Sequence, residues 1–211
     1  MSNDLDPLRD KVLLALLPDV PFDGWTRAAL KRAGEKAGVD TAQLTMLFPR
    51  GPRDVAAWFS DWADQETVAA LKEQSLSSLK VRERIALGVR TRLDILLPHR
   101  EALRRALALF ALPMNLPFGA KLLYGTVDTI WRAAGDRSTD FNFYTKRGLL
   151  AGVYAATTLY WLDDRSDETQ ATGEFLQRRL DEVLAIPTLK TRLDRLSNPL
   201  RALRNRFSAA G

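Results

Sequence analysis

The chain has 211 residues, which is enough for one domain, or a small two-part protein, with a buried core. It has no cysteine and a single histidine, which excludes disulfides, thiolate nucleophiles and metal sites built on cysteine or on a histidine pair. The net charge of +5 equals that of residues 187–211, which hold six basic residues and one acidic residue. Residues 1–186 are therefore neutral overall, and no basic nucleic-acid-binding face is expected on the body.

Apolar residues recur at helical spacing along the chain, and no run shows the strict alternation of a half-buried strand. Helices are predicted over 6–17, 25–37 and 41–47, the second stopped by Gly38 and the third capped by Asp40 or Thr41. After a turn at 48–52, a long helix carries an aromatic face. Breaks are predicted after the first helix and between the later ones: Pro18, Pro21, 79–80, Pro98, Pro113–Pro117, 135–142, 163–168 and Pro187. The pattern predicts an all-α fold of about ten helices.

Residues 25–59 have the order of a helix–turn–helix, with a helix, a short second helix, a turn and a long amphipathic helix. Over roughly the first 60 residues this order resembles the head of TetR-family repressors. A recognition helix needs side chains that reach base edges. Residues 41–46 contain no Arg, Lys or Asn, and Gln43 is the one candidate base reader. We expect DNA binding to be lost, and a repressor that senses a hydrophobic ligand is the alternative.

The run 148–162 is uncharged and lies between a basic pair at 146–147 and an acidic pair at 163–164. It is shorter than the roughly 20 residues that cross a bilayer, so we predict a buried helix. A helix that is apolar nearly all round is covered on all sides, by other helices, a partner subunit or a ligand. Residues 140–144 put three aromatics among turn-forming and capping residues before it, which is typical of a contact site. Small residues recur at helical spacing along one face: Gly148, Gly152 and Ala155.

Three parts of the sequence resemble the coenzyme-Q-nine family of ubiquinone-biosynthesis accessory proteins. They are STDFNFYTKR with LLAGVY and YWLDDRS between 138 and 166, the segment 24–30, and LFPRGP at 47–52. The resemblance implies a TetR-like, usually dimeric fold that has lost DNA regulation. It also implies a hydrophobic pocket for lipids, including isoprenoid quinone intermediates, and a partner, the demethoxyubiquinone hydroxylase, to which the lipid is presented. No catalytic motif is present, so we expect neither enzymatic activity nor a cofactor.

In this family the partner-docking patch includes an aspartate, an asparagine and an aromatic pair, which correspond here to Asp140, Asn142, Phe143 and Tyr144. Phe143 stands where the family more often has Trp, so the aromatic surface is kept and an indole N–H donor is absent. Between residues 107 and 131 the break at Pro113–Pro117 is expected to be the pocket mouth. The candidate lipid-binding residues are of the types that also form ordinary core: Leu107, Phe110, Met114, Leu122, Leu123, Val127, Trp131, Leu150 and Tyr154.

The arginines between 82 and 92 are expected on solvated helix faces: Arg82, Arg84, Arg90 and Arg92. The basic tail, 187–207, places Leu and Phe at alternating spacings of 4 and 3, which predicts one apolar stripe with arginines on the remaining face. Such a helix suits an anionic membrane surface, as does the C-terminal amphipathic helix of the resembled family. A last helix packed on its own domain or on a partner is the alternative. The candidate membrane-binding residues are Leu189, Lys190, Leu193, Leu196, Leu200, Arg201, Leu203, Arg204 and Phe207.

We therefore expect a head without DNA binding over 1–60, a ligand-binding and dimerisation body over 61–186, and a membrane-binding helix over 187–211. The first residues are acidic before they are apolar, unlike a signal or transit peptide. The expected location is cytoplasmic, with peripheral attachment to the cytoplasmic face of the membrane. The partners expected are a lipid or quinone intermediate, the hydroxylase, the membrane and a second copy of the chain.

Overall fold

The computed structural model describes residues 5–135 and 141–183, with the side chains of 141–145 left out. All regular structure in these ranges is helical, which confirms the all-α prediction. Three short 3-10 turns lie at Leu76–Ser78, Leu97–His99 and Asp167–Thr169. The α-helices are α1 Asp6–Leu16, α2 Val20–Asp23, α3 Arg27–Ala37, α4 Thr41–Leu47, α5 Pro52–Lys72, α6 Val81–Leu96, α7 Arg100–Ala111, α8 Leu116–Ala133, α9 Phe141–Asp163 and α10 170–183.

The head consists of α1, α3 and α4, which pack in that order. Gly38 ends α3 with a φ of 70°, the left-handed conformation that glycine adopts without strain. Asp40 then caps α4, since its carboxylate accepts from the backbone N–H of Gln43 at 2.8 Å. Gly34 allows α3 to approach α4 closely, because a methyl group at this position would collide with Leu44.

Two details of the head differ from the sequence prediction. The first helix ends before Pro18, as predicted, but Pro21 lies in the first turn of α2, a short helix that was not predicted from the sequence. Proline is tolerated there because a first-turn residue needs no N–H hydrogen bond within the helix. The next helix begins at Arg27 and not at Trp25, because Thr26 is its N-cap and accepts from the N–H of Ala29 at 3.2 Å.

The long helix α5 connects the head to the body, since it packs on α1 and also on α6 and α8. Two tryptophans hold the head against α5 and α7 through hydrogen bonds from their indole N–H groups. Trp58 donates to a carboxylate oxygen of Asp10 at 2.8 Å, and Trp25 donates to the carbonyl of Ala102 at 3.1 Å. The body is completed by α8 packed on α9 and by α7 packed on α8.

The uncharged segment forms α9, as predicted, but the described residues do not cover it on all sides. Trp161 is fully buried, whereas a methyl group added at Gly148 or Gly152 would have no atom within 4 Å. Leu159 is 61% exposed. The helix also begins at Phe141, so Phe141–Tyr144 belong to its first turn and not to a turn before it.

Asp164 joins α9 to α10. Its carboxylate accepts hydrogen bonds from the N–H and hydroxyl of Ser166 at 2.8 and 2.7 Å, and from the N–H and hydroxyl of Thr172 at 2.9 and 2.5 Å. Burial alone would raise the pKa of Asp164, but these hydrogen bonds outweigh it and lower the pKa to about 2. The ionised carboxylate therefore stabilises the start of α10.

We expect Asp164→Asn to lower the free energy of unfolding by about 1–3 kcal/mol at neutral pH, because the amide cannot accept all four hydrogen bonds. A folded-state pKa below the unfolded value of about 3.9 gives stability that is present above that value and lost as pH falls toward 2. The wild-type protein should thus lose more stability than the variant between pH 5 and pH 2. Urea unfolding at several pH values measures this. Asp163→Asn is the control, since Asp163 is exposed, and equal pH profiles for Asp164→Asn and wild type would contradict the assignment.

Candidate ligand-binding site

A cavity of about 430 Å³ lies among α5, α6, α7, α8 and α9. Its wall is mostly aliphatic and aromatic carbon from the last three of these helices. Residues with small or no side chains are among those that line it: Ala106, Gly119, Ala120 and Ala155. Gly119 lets α8 approach α7 closely, because a methyl group at this position would lie 2.9 Å from the Cβ of Phe110.

Five of the nine candidate lipid-binding residues line this cavity: Leu107, Phe110, Leu122, Leu123 and Tyr154. The other four lie elsewhere. Met114 is 82% exposed, and Val127, Trp131 and Leu150 are buried in the core outside the cavity wall. Trp131 instead holds α8 to α9, since its indole N–H donates to the carbonyl of Lys146 at 3.3 Å.

The proline break between α7 and α8 borders the cavity, because Ala111 and Leu116 on either side of it both line the wall. Leu112, Met114 and Leu116 are 48%, 82% and 58% exposed. The neighbouring ring of Phe118 has the guanidinium groups of Arg50 and Arg53 at 5.4 and 5.2 Å. The mouth expected at Pro113–Pro117 is thus an exposed apolar segment beside two cations.

One part of the cavity wall is polar and is centred on Arg92, which is 3% exposed. Arg92 donates from Nε to Asp64 at 2.6 Å and from a terminal nitrogen to the hydroxyl of Tyr154. Its other terminal nitrogen donates to the hydroxyls of Ser60 and Thr126 at 3.0 and 3.3 Å. Thr126 in turn donates to the second oxygen of Asp64 at 3.0 Å.

The expectation that Arg92 lies on a solvated helix face was therefore wrong. Arg92 follows Ile85 and Val89 and precedes Leu96 at the 4, 3, 4 spacing of the buried face of α6. This spacing was the sequence signal for a buried Arg92, although it does not identify Asp64 on α5 as the partner. Arginine is buried here because Asp64 and the hydroxyls around it satisfy its charge and its donors.

The polar wall is a neutral unit that contains one cation and one anion. Burial alone would lower the pKa of Arg92, but Tyr154 and Asp64 outweigh burial and raise it, so the guanidinium stays charged. Burial also raises the pKa of Tyr154, so its hydroxyl stays protonated at neutral pH. The cavity thus offers a long apolar wall and hydroxyl groups next to a compensated charge.

The COQ9 family model matches residues 116–187, which include α8, α9 and α10. The human mitochondrial ubiquinone biosynthesis protein COQ9 is 33% identical over 185 residues, which cover 85% of this chain and 58% of the human protein. The Drosophila melanogaster COQ9 protein is 30% identical over 198 residues, covering 92% of this chain and 60% of that protein. The chain belongs to the COQ9 family.

This COQ9-family chain spans 58% to 60% of the length of these two relatives. Among solved structures, the TetR transcriptional regulator from Nitrosomonas europaea superposes with a TM-score of 0.68 and 21% identity, covering 84% of this chain and 98% of that one. This likeness confirms the predicted TetR-like fold. It shows the fold alone.

The helix of the COQ9-family head that corresponds to a recognition helix is α4. The side chain of Gln43, the one candidate base reader, accepts from the backbone N–H of Asp40 at 3.1 Å and so completes the helix cap. Nearby cations are paired with acids: Arg32 with Asp23, Lys36 with Asp19 at 2.9 Å, and Arg50 with Asp54 at 3.0 Å.

The start of α9 carries the predicted docking patch. Asn142, Phe143 and Tyr144 lie in its first turn, and Asp140 lies outside the described residues. Arg147, which is 1% exposed, fixes this end of α9 to α8 through Asp128 at 2.6 Å, and Asp128 also accepts from Arg132 at 2.6 Å. Burial would raise the pKa of Asp128, but the two arginines outweigh it and lower the pKa.

Three further sequence expectations concern metals, membrane spans and the tail. Within the described ranges, no group of three acidic or histidine side chains is placed to hold a metal ion. His99 contacts the rings of Phe59 and Trp62 edge-on, with centroids at 6.1 and 5.8 Å. In the part of the chain that the structure describes, every helix is too short or too polar to span a bilayer. The predicted membrane helix at 187–207 lies outside that part.

Proposed function

We propose that this COQ9-family chain is a non-catalytic lipid-binding accessory protein of ubiquinone biosynthesis. It holds an isoprenoid quinone intermediate or a phospholipid and presents it at a membrane to the demethoxyubiquinone hydroxylase. The observation that carries the proposal is the apolar cavity of about 430 Å³, a size typical of small-molecule sites. The pathway is supported by the name of the relatives, ubiquinone biosynthesis protein COQ9.

The described cavity wall supports binding more than catalysis. Its one charged residue, Arg92, is already paired with Asp64, which leaves neither a free carboxylate nor an imidazole on the described wall for general acid–base chemistry. Apart from the hydroxyls of Ser60, Thr126, Tyr154 and Thr158, the remaining wall is apolar and would contact a ligand through burial of carbon surface.

The alternative function, a repressor that senses a hydrophobic ligand, would use the same fold. The described head gives it little support, because Gln43 serves as a helix cap and Arg32, Lys36 and Arg50 are paired with acids. Base readout and phosphate contacts need such side chains to be free. A gel-shift with the DNA upstream of the protein's own gene distinguishes the two functions.

Membrane contact is proposed through two segments. The sequence of 187–207 combines a Leu/Phe stripe with basic residues, and each Lys or Arg near an anionic surface contributes about 1 kcal/mol. The cavity mouth adds Leu112, Met114 and Leu116, which are exposed beside Arg50 and Arg53. Together these segments would place the mouth at the bilayer, where a hydrophobic substrate resides.

Two protein partners are proposed. The hydroxylase is expected at Asp140, Asn142, Phe143 and Tyr144, next to the end of α9 that Arg147 holds against α8. A second copy of the chain is expected on the uncovered face of α9, which includes Gly148 and Gly152. Tyr160 of α9, whose ring stacks on Phe175 of α10 at 4.6 Å, lies toward the other end of that helix.

The first prediction on function concerns the cavity. Ala106→Phe places a phenyl ring in the space that a lipid would occupy, so we expect the variant to stay folded and to lose co-purified lipid. Ala108→Phe adds the same group to the exposed side of the same helix and should keep its lipid. Mass spectrometry of extracted lipids from the purified proteins measures both. Equal lipid content in the two variants would count against the cavity as the binding site.

The second prediction concerns the tail. The full chain should float with vesicles containing phosphatidylglycerol, and a chain without residues 187–211 should float much less. Binding by the full chain should fall with added salt, because exposed charges are screened. Vesicles of phosphatidylcholine alone are the control. Equal flotation by the two chains would refute the membrane role of the tail.

The third prediction concerns the docking patch. Phe143→Asp combined with Tyr144→Asp should lower cellular ubiquinone while the protein remains folded and at its normal level. Phe22→Asp changes another aromatic, which is 84% exposed in the head, and should leave ubiquinone unchanged. Quinone extracts analysed by chromatography give the result. Normal ubiquinone in the double variant would exclude the patch.

A further inference from the structure

Hydrogen bonding in the polar part of the cavity wall is incomplete at two hydroxyl groups of α9. Thr158 is 4% exposed, and its hydroxyl lies near that of Tyr154 without forming a hydrogen bond of normal geometry to any described residue. The hydroxyl of Tyr154 accepts a hydrogen bond from Arg92, and the hydroxyl of Thr158 is the described group beside its proton. Both side chains line the cavity.

An unpaired hydroxyl that is buried destabilises a protein, so a native structure normally supplies a partner from a ligand or from water. The other polar groups of the described wall, Arg92, Ser60 and Thr126, are hydrogen-bonded to one another or to Asp64, and the rest of the lining is apolar. The bond from Arg92 also withdraws electron density from the tyrosine oxygen. This polarisation makes the tyrosine O–H a stronger hydrogen-bond donor.

The charge of this wall selects among possible ligands. Arg92 is paired with Asp64, and both carboxylate oxygens of Asp64 are occupied, by Arg92 and by Thr126. An anionic head group would meet a cation that is already compensated and would lose its own hydration. A neutral oxygen atom needs only the two hydroxyl donors.

We propose that Tyr154 and Thr158, with Arg92 behind them, bind the neutral, oxygen-bearing head of an amphiphile, such as a quinone or phenol ring. Thr126 of the same wall and Leu116, in the segment expected to form the mouth, are ten residues apart on α8, which is about 15 Å at 1.5 Å per residue. The head therefore lies deep in the cavity, and the apolar chain runs toward the mouth. This site rests on the proposed lipid-binding function and specifies which end of the ligand enters first.

Two ligands that differ only in their head test the site: decylubiquinone, a benzoquinone with a decyl chain, and decylbenzene, which has no oxygen. Titration of the delipidated full chain, followed by calorimetry, should give an affinity for the quinone about tenfold higher than for the hydrocarbon, or about 1.4 kcal/mol. Thr158→Val and Tyr154→Phe should each reduce that preference by about threefold or more. Neither should change the affinity for decylbenzene.

Thr157→Val is the matched control. Thr157 is fully buried next to Thr158, and its hydroxyl is also without a hydrogen bond among the described residues, but it does not line the cavity. Both valine variants remove a buried unpaired hydroxyl at nearly constant volume, so both should remain folded. Only Thr158→Val should change the preference for the quinone.

The outcomes separate the two proposals. If both ligands bind and Thr158→Val and Tyr154→Phe keep the wild-type preference, the polar site is overturned and the cavity remains a lipid site. If neither ligand binds, the cavity proposal falls and the polar site falls with it. If decyl phosphate binds more tightly than decylubiquinone, the preference for a neutral head is wrong.

Discussion

The buried ion pair between Arg92 and Asp64 is the interaction on which the body of the molecule depends. It joins α6 to α5, and the hydroxyls of Tyr154 and Thr126 extend it to α9 and α8. A buried charge is costly unless its partners are in place, and removing one partner of such a pair typically destabilises a protein by about 3–5 kcal/mol. The pair therefore requires four helices to meet in one arrangement.

The same pair determines what the cavity can hold. Because Arg92 is satisfied on its protein side, it adds polarity to the wall without adding net charge. Elsewhere the wall includes two small side chains, Ala106 of α7 and Ala155 of α9. An apolar channel with a neutral polar end suits a long hydrophobic molecule that carries a small oxygen-bearing head.

The head and the body of the TetR-like fold use their side chains in different ways. In the head, Gln43, Lys36 and Arg50 make contacts within the protein. In the body, the COQ9 match at 116–187 includes α8, α9 and α10, and the first two of these line the cavity. A fold shared with a transcriptional regulator is thus compatible with a different task, because function depends on the side chains at each site.

The sequence by itself determined the helical class, most helix limits and the family. Apolar spacing, proline breaks and caps such as Asp40 and Gly38 are local signals, and the segment 138–166 carried the family resemblance. Among nine candidates it also named five residues of the cavity wall, four on α7 and α8 and one on α9. Only the tertiary structure distinguished those from Val127, Trp131 and Leu150, because core and cavity walls use the same residue types. Only the tertiary structure showed Arg92 buried against Asp64, since these two residues are 28 positions apart and local periodicity cannot pair side chains on different helices.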